Sequence, residues 1–206
     1  IAAIRSGSTR PASRLLPPAI PGYDPSVGQA YDYQAALTHM RNAGFPYDPA
    51  TKTGGFPKEI AFITVGESLE EAAAQVYQQQ LAKIGIRIRL RIVGWPAFLA
   101  DTSRRGVSAM GSDGWAADYP DASDFFEPLL HSKSIAEEDS QNKAFYRNAE
   151  VDKLLDEARR ERDTNVRKEL YHRAEAQVIA DAPWAFVYSA RRFELWHPYV
   201  RGYRVH

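Results

Sequence analysis

The chain predicts an α/β fold. Three neighbouring segments carry that expectation. "EIAFITV", ending at Val65, is rich in β-branched and aromatic residues and reads as a strand. "SLEEAAAQVYQQQLAKIG", from Ser68 to Gly85, is apolar at helical spacing. "IRIRLRIV", from Ile86 to Val93, alternates strictly and reads as a second strand. Strand, helix, strand in that order is a βαβ unit. Such a unit calls for a parallel layer with helices laid on it.

The elements follow in chain order. Residues 1–30 are crowded with Pro, Gly and Ser, as in "GSTRPASRLLPPAIPGYDPSVG", and read as an irregular, extended connection. In "YDYQAALTHMRNAGF", Ala35, Ala36, Leu37 and Met40 fit a short helix with Gly44 as its C-terminal stop. "PYDPATKTGGFP" reads as a loop. The long helix is expected to start on a capping box, Ser68 with Glu71 three residues on. Its buried face is expected to hold Leu69, Ala72, Ala73, Val76, Tyr77 and Ile84. In the second strand Ile86, Ile88, Leu90 and Ile92 point one way, and Arg87, Arg89 and Arg91 the other. An arginine row suits phosphate, but in a chain of zero net charge an ion-paired outer face is the better reading.

"PAFLADTSRR" follows as a helix with Pro96 in its first turn, and "GVSAMGSDGW" as a third strand. The rest is mostly helical. "DASDFFEPLL" is a short helix. "NAEVDKLLDEARRERD" is capped by Asn148 and buries Val151, Leu154, Leu155 and Ala158. "TNVRKELYHRAEAQVIADAP" is expected to bury Val166, Leu170, Ala174 and Val178 and to stop before Pro183. "WAFVYSARRFELW" reads as a strand or hairpin, and "HPYVRGYRVH" as a tail.

Composition narrows the function classes. With 206 residues and 44% hydrophobic content, one sizeable core is affordable. Lys plus Arg equals Asp plus Glu, so no nucleic-acid partner is expected. No apolar run is long enough for a transmembrane helix. The absence of cysteine excludes disulfides, thiolate zinc sites and thiol catalysis. No secretory signal opens the chain, and "IAAIRSGSTR" reads as a start in mid-structure, so a piece of a longer protein is expected.

Catalytic signatures are missing. No nucleophile elbow, phosphate loop or dinucleotide fingerprint occurs. His39, His131, His172, His197 and His206 are scattered without metal-ligand spacing and read as surface or packing residues. Asp118, Asp121, Asp124 and Glu127 recur every third residue. They lack the alternate-position acids and central Gly of a calcium loop. A carboxylate pair for glycoside hydrolysis has no identifiable second member. Asp121 and Asp124 are expected to complement a helix N-terminus. Asp118 is different. In "GWAADYP" it follows a strand, where open α/β sheets place ligands, and Trp115 and Tyr119 flank it with water-excluding surfaces. Ala116 and Ala117 leave the backbone open to close approach. An acid so placed favours a cation, most simply an ammonium.

"GWAADYPDASDFFEPLLHS" with "NKAFYRNAEVDKLLDEARRERDTNVRKELYHRAEAQVIADAPWAFVY" resembles the C-terminal part of family 5 extracellular solute-binding proteins, the peptide-, dipeptide- and nickel-type receptors of bacterial ABC importers. "LLPPAIPGYDP", "YDYQAALTHMRNAGF" and "YQQQLAKIGIRIRLRIVGWPAF" resemble the family's linker, its helix ending in Ala-Gly, and its helix-strand unit. The resemblance implies one lobe of a two-lobed periplasmic-binding-protein-like fold (type II, cluster C). Residues 1–55 would lead from a missing N-terminal lobe, and 56–206 would form the ligand-binding lobe with its return segment. It implies no catalysis and no cofactor. The partners it implies are a peptide or other small-molecule ligand, a membrane ABC permease and the missing lobe. The implied location is periplasmic or extracytoplasmic, with lipid anchoring decided by the missing N-terminus. In peptide-binding members the matching aspartate salt-bridges the ligand's α-ammonium. Carried over, the ligand-binding residues are Asp118, Trp115 and Ala116, with Ala117 and Tyr119 as neighbours. Alternatives on the same scaffold are receptors for a nickel chelate, an opine or a sugar, and a sensor or chaperone-like role. An acid-dependent hydrolase using Asp118 is the reading from another class.

Overall fold

The computed structural model describes residues 7–191 and 193–203. Its centre is a three-stranded parallel sheet of β4 (Ile60–Val65), β5 (Ile88–Val93) and β6 (Met110–Gly111), in the order β5-β4-β6. The strand register runs from Ile60 opposite Ile88 to Val65 opposite Val93, and from Phe62 opposite Met110 to Ile63 opposite Gly111. The predicted α/β order therefore holds.

Helices α2 (Ser68–Ala82) and α3 (Trp95–Thr102) cover opposite faces of β4. Phe62 packs with Ala74 of α2 and Ile88, whereas Ile63 and Val65 pack with Phe98 of α3. This two-sided cover explains why β4 is apolar on both faces, broken only by buried Thr64. β5 is an edge strand, and its alternation fades along its length. Ile88 is buried, Leu90 half-buried, and Ile92 is 51% exposed, contrary to the expected buried row. The arginines on its other side are ion-paired or hydrogen-bonded: Arg89 to Glu59, Arg91 to Asp101, and Arg87 to the Pro57 carbonyl.

α2 departs from expectation at its start. The cap is Glu67, without a side-chain hydrogen bond, and Ser68 is already helical, so the capping box does not form. Ala73 and Ala74 are its buried residues, while Leu69 is exposed. The helix presents its small residues to the sheet, which lets it lie close. Gly85 then turns the chain at φ +81°, and a Cβ there would meet Gly55 Cα at 2.8 Å. Only glycine suits both demands.

A second layer is helical. It contains α4 (Ser123–Leu130), a 3-10 turn (Ser132–Ser134), α5 (Ala149–Arg160) and α6 (Thr164–Asp181). α5 buries its four predicted residues and is capped by Asn148, which accepts from the Glu150 and Val151 amides. α6 buries Leu170, Tyr171, Ala174, Glu175 and Val178. Val166 is exposed, contrary to prediction, and lines a shallow surface depression with Glu157, Arg160 and Leu170.

The early residues join this layer. Leu15, Leu16 and Ile20 sit in the same core as Phe126, Leu155 and Val178. Buried Glu175 accepts the amides of Leu15 and Leu16 at 3.0 and 3.1 Å. β1 (Thr9–Pro11) pairs antiparallel with β7 (Tyr188–Ala190), so the late segment is a lone strand whose partner lies near the other end of the chain. α1 (Tyr33–Asn42) is capped by Asp32, and Gly44 at φ +84° follows its end, as predicted. The segment read as a loop instead folds into a ribbon of β2 (Tyr47–Asp48) and β3 (Thr53–Gly54), turned by Asp48, which accepts from Ala50 and Thr51.

Candidate functional site

In the sheet, β4 connects to β5 on one side and β5 connects across to β6 on the other. At such a reversal the carboxyl ends of the strands border a crevice. Three segments leave that edge: Gly66-Glu67 after β4, Gly94-Trp95 after β5, and the loop 112–122 after β6. β6 lies tight against β4. A Cβ at Gly111 would meet Ile63 Cγ2 at 2.7 Å, so glycine is required for this approach.

All five predicted site residues lie on the loop after β6, and residues 113–120 are all exposed. The loop is nevertheless held at both ends. At its start Lys143 Nζ reaches Asp113 Oδ2 at 2.5 Å and stands 5.7 Å over the Phe98 ring. At its end Arg167 grips Asp121 with two bonds of 2.7 Å, while Asp121 also accepts from the Ser123 amide and hydroxyl. The Arg167 guanidinium beside Asp121 holds that carboxyl far below the usual aspartate range.

Between these ties the decisive contact is Asp124, in the first turn of α4 and 4% exposed. Its Oδ2 accepts from Trp115 Nε1 at 3.0 Å and from the Asp118 amide at 3.1 Å. The tip of Tyr119 pairs with the Ser123 hydroxyl at 3.2 Å. Asp121 and Asp124 do sit at a helix N-terminus, as expected, but each also has a specific partner that the dipole argument did not foresee. The signal available in the sequence was a buried-type environment: Asp124 is followed directly by Phe125-Phe126.

Asp118 is left as the available charge. Asp113 and Asp121 have cations of their own; among the described residues none pairs with Asp118. Ala116 and Ala117 make no backbone hydrogen bond among the described residues. The drying expected of the two aromatics is not supplied by this chain alone. Trp115 is 36% and Tyr119 50% exposed, because their polar ends are tied to α4 instead of closing over the carboxylate. Trp95, which sequence reasoning passed over, stands 54% exposed at the same sheet edge and stacks on Phe98 at 5.6 Å.

The described histidines stay outside this site. His131 is buried, with Nδ1 accepting the Lys133 amide and Asp152 3.2 Å away. His172 bonds the Gly22 carbonyl, His39 and His197 are exposed, and His206 lies outside the described residues. No group of three or more metal-ligating side chains is found among the described residues. No helix among them is long and apolar enough to cross a membrane.

Comparison with known proteins fixes the class. Residues 1–137 match the family described as bacterial extracellular solute-binding proteins, family 5 middle, and the chain belongs to that family. It is similar to the heme-binding protein A of Haemophilus influenzae, at 28% identity over 98% of this chain and 36% of that protein. It is similar also to the di/tripeptide-binding protein 4 of Pseudomonas aeruginosa, at 29% identity over 96% of this chain and 36% of that protein. In structure it resembles the ABC transporter-associated periplasmic binding protein DppA from Helicobacter pylori, solved in complex with the peptide STSA. There the TM-score is 0.78 and the identity 28%, over 92% of this chain and 36% of that one. The chain thus spans about 36% of the length of these relatives.

Proposed function

We propose that this chain supplies the ammonium-anchoring wall of a peptide receptor that serves a bacterial ABC importer outside the cytoplasm. The observation that carries the proposal is the isolation of Asp118. It is exposed at the carboxyl edge of the sheet, its backbone is fixed, and the acids on either side are already neutralised. A peptide's α-ammonium would complete it. The open backbone at Ala116 and Ala117 offers hydrogen bonds that do not depend on side-chain identity, which suits ligands of varied sequence. The Trp115 ring, tethered through its nitrogen, offers an apolar surface beside the charge.

Such a site works by binding alone. Contacts from this chain and from a facing lobe would make the closed form the more stable one, shifting a hinge equilibrium towards it. The closed receptor would then dock on the permease. Half of those contacts are absent from this chain, so the isolated piece is expected to bind peptides far more weakly than the full-length receptor. The Haemophilus relative is a heme-binding protein, which supports a second reading in which this family member takes a non-peptide ligand.

Native mass spectrometry of the full-length receptor, purified gently from its host, tests the proposal. A series of masses matching short peptides, lost in Asp118→Asn, is the expected result. A single non-peptide mass indifferent to that substitution would replace the peptide reading with the second one.

A further inference from the structure

We propose that Asp124 is the positioning residue of the ligand loop, setting both the Asp118 carboxylate and the Trp115 ring from inside the fold. The inference rests on the reading of Asp118 as ligand anchor.

One oxygen, Asp124 Oδ2, accepts from two loop groups that are otherwise remote in chemistry: the Trp115 indole nitrogen at 3.0 Å and the Asp118 amide at 3.1 Å. The loop itself is exposed throughout 113–120, so packing does not fix it. Asp124 is 4% exposed, and the residues after it, Phe125 and Phe126, are buried in the helical core. Phe126 stacks on Tyr171 at 5.3 Å, and Arg167 of the same helix grips Asp121. The acceptor is therefore anchored to the rigid layer, while its donors belong to the exposed one. No cation pairs with Asp124 among the described residues. Its charge is met by these two N–H groups and by the first turn of α4. Removing it strands an indole nitrogen and frees the backbone at the anchor itself. A site whose geometry is set before ligand arrives loses less order on binding.

The test uses the full-length receptor. In ligand-free Asp124→Ala, the Trp115 indole and Asp118 amide resonances should move, and the Asp118 amide should exchange with solvent about tenfold faster or more. Methyl resonances of Leu129 and Leu155 should stay in place. The probe for binding is a library of di- to pentapeptides with free N-termini. Affinity for its best binder should fall about tenfold in Asp124→Ala, and return to within about threefold of the parent in Asp124→Asn, which keeps an acceptor oxygen. Should Asp124→Ala not fold, Asp124→Ser, too short to reach the indole, takes its place. Unchanged indole and amide signals overturn the proposal. So does unchanged peptide affinity in Asp124→Ala alongside a clear loss in Asp118→Asn. If Asp118→Asn also binds like the parent, or no peptide binds, the ammonium reading has failed and the positioning role falls with it.

Discussion

The helical layer and the sheet layer are built to different ends. Around α4, α5 and α6 one continuous core runs from Leu16 through Phe126 and Leu155 to Val178, each at most 1% exposed. The sheet has only two small clusters, one per face, centred on Phe62 and on Ile63. Around them stand exposed apolar residues: Leu69, Ile92, Trp95 and Leu99. One layer supplies stability, and the other keeps its surface available. The loop after β6 spans the seam, tied to the first through Asp121 and Asp124 and leaving the second at β6.

The sharpest way to break this comparison is to cut into each layer. Phe126→Ala removes a fully buried ring stacked on Tyr171 and should cost about 3–5 kcal/mol, read by chemical denaturation. A loss below about 1 kcal/mol would mean the helical layer is not the stable part.

Next in size is the tie between α4 and α6. Asp121→Asn should destabilise by about 1–2 kcal/mol, since a bidentate, half-buried pair exceeds an ordinary surface bridge. Because Arg167 lowers the folded-state pKa of Asp121, this contribution is present above the ordinary aspartate range and is lost as pH falls towards the folded value. The gap between parent and variant should therefore shrink in acid.

Glu175 carries the opposite sign. Burial raises its folded-state pKa, against the Leu15 and Leu16 amides that lower it. Its contribution is fully present below the ordinary glutamate range and is lost as pH rises through the raised value. Glu175→Gln keeps an acceptor for the two amides and abolishes that titration. Thermal melts should show the variant gaining on the parent as pH rises above about 4.3. A gap constant with pH would show that the buried carboxyl is not perturbed.

The smallest effect belongs to the sheet. Ile92→Thr, at a half-exposed edge position, should change stability by less than about 0.5 kcal/mol. A core-sized loss would show that Ile92 is covered in the full-length protein.

The same division governs what the sequence could say. Much of the local structure was legible, though the Ser68 capping box and the ribbon of β2 and β3 were local and were missed. The α5 face, the Asn148 cap, the Gly44 stop and the alternation of β5 at Ile88 follow from spacing within a few residues. Where partners are distant, it was not. β1 with β7, and Glu175 with Leu15, join residues far apart in the chain. Leu69 and Val166, each in the first turn of its helix, fit their helical faces by period but are exposed. The placement of Asp118 on a loop after a strand was legible, and its role there is the proposal made above. The inward turn of Asp124 was marked only by the Phe125-Phe126 pair behind it, since acids at every third position do not themselves say which one turns inward.

The central claim is that Asp118 anchors a ligand ammonium, and calorimetry on the full-length receptor tests it most directly. A bound peptide and its N-acetylated form would each be titrated into the parent and Asp118→Asn. The account predicts that acetylation costs the parent about ten- to a hundredfold in affinity and costs the variant almost nothing. An equal penalty for acetylation in both proteins would place the ammonium elsewhere and contradict the account.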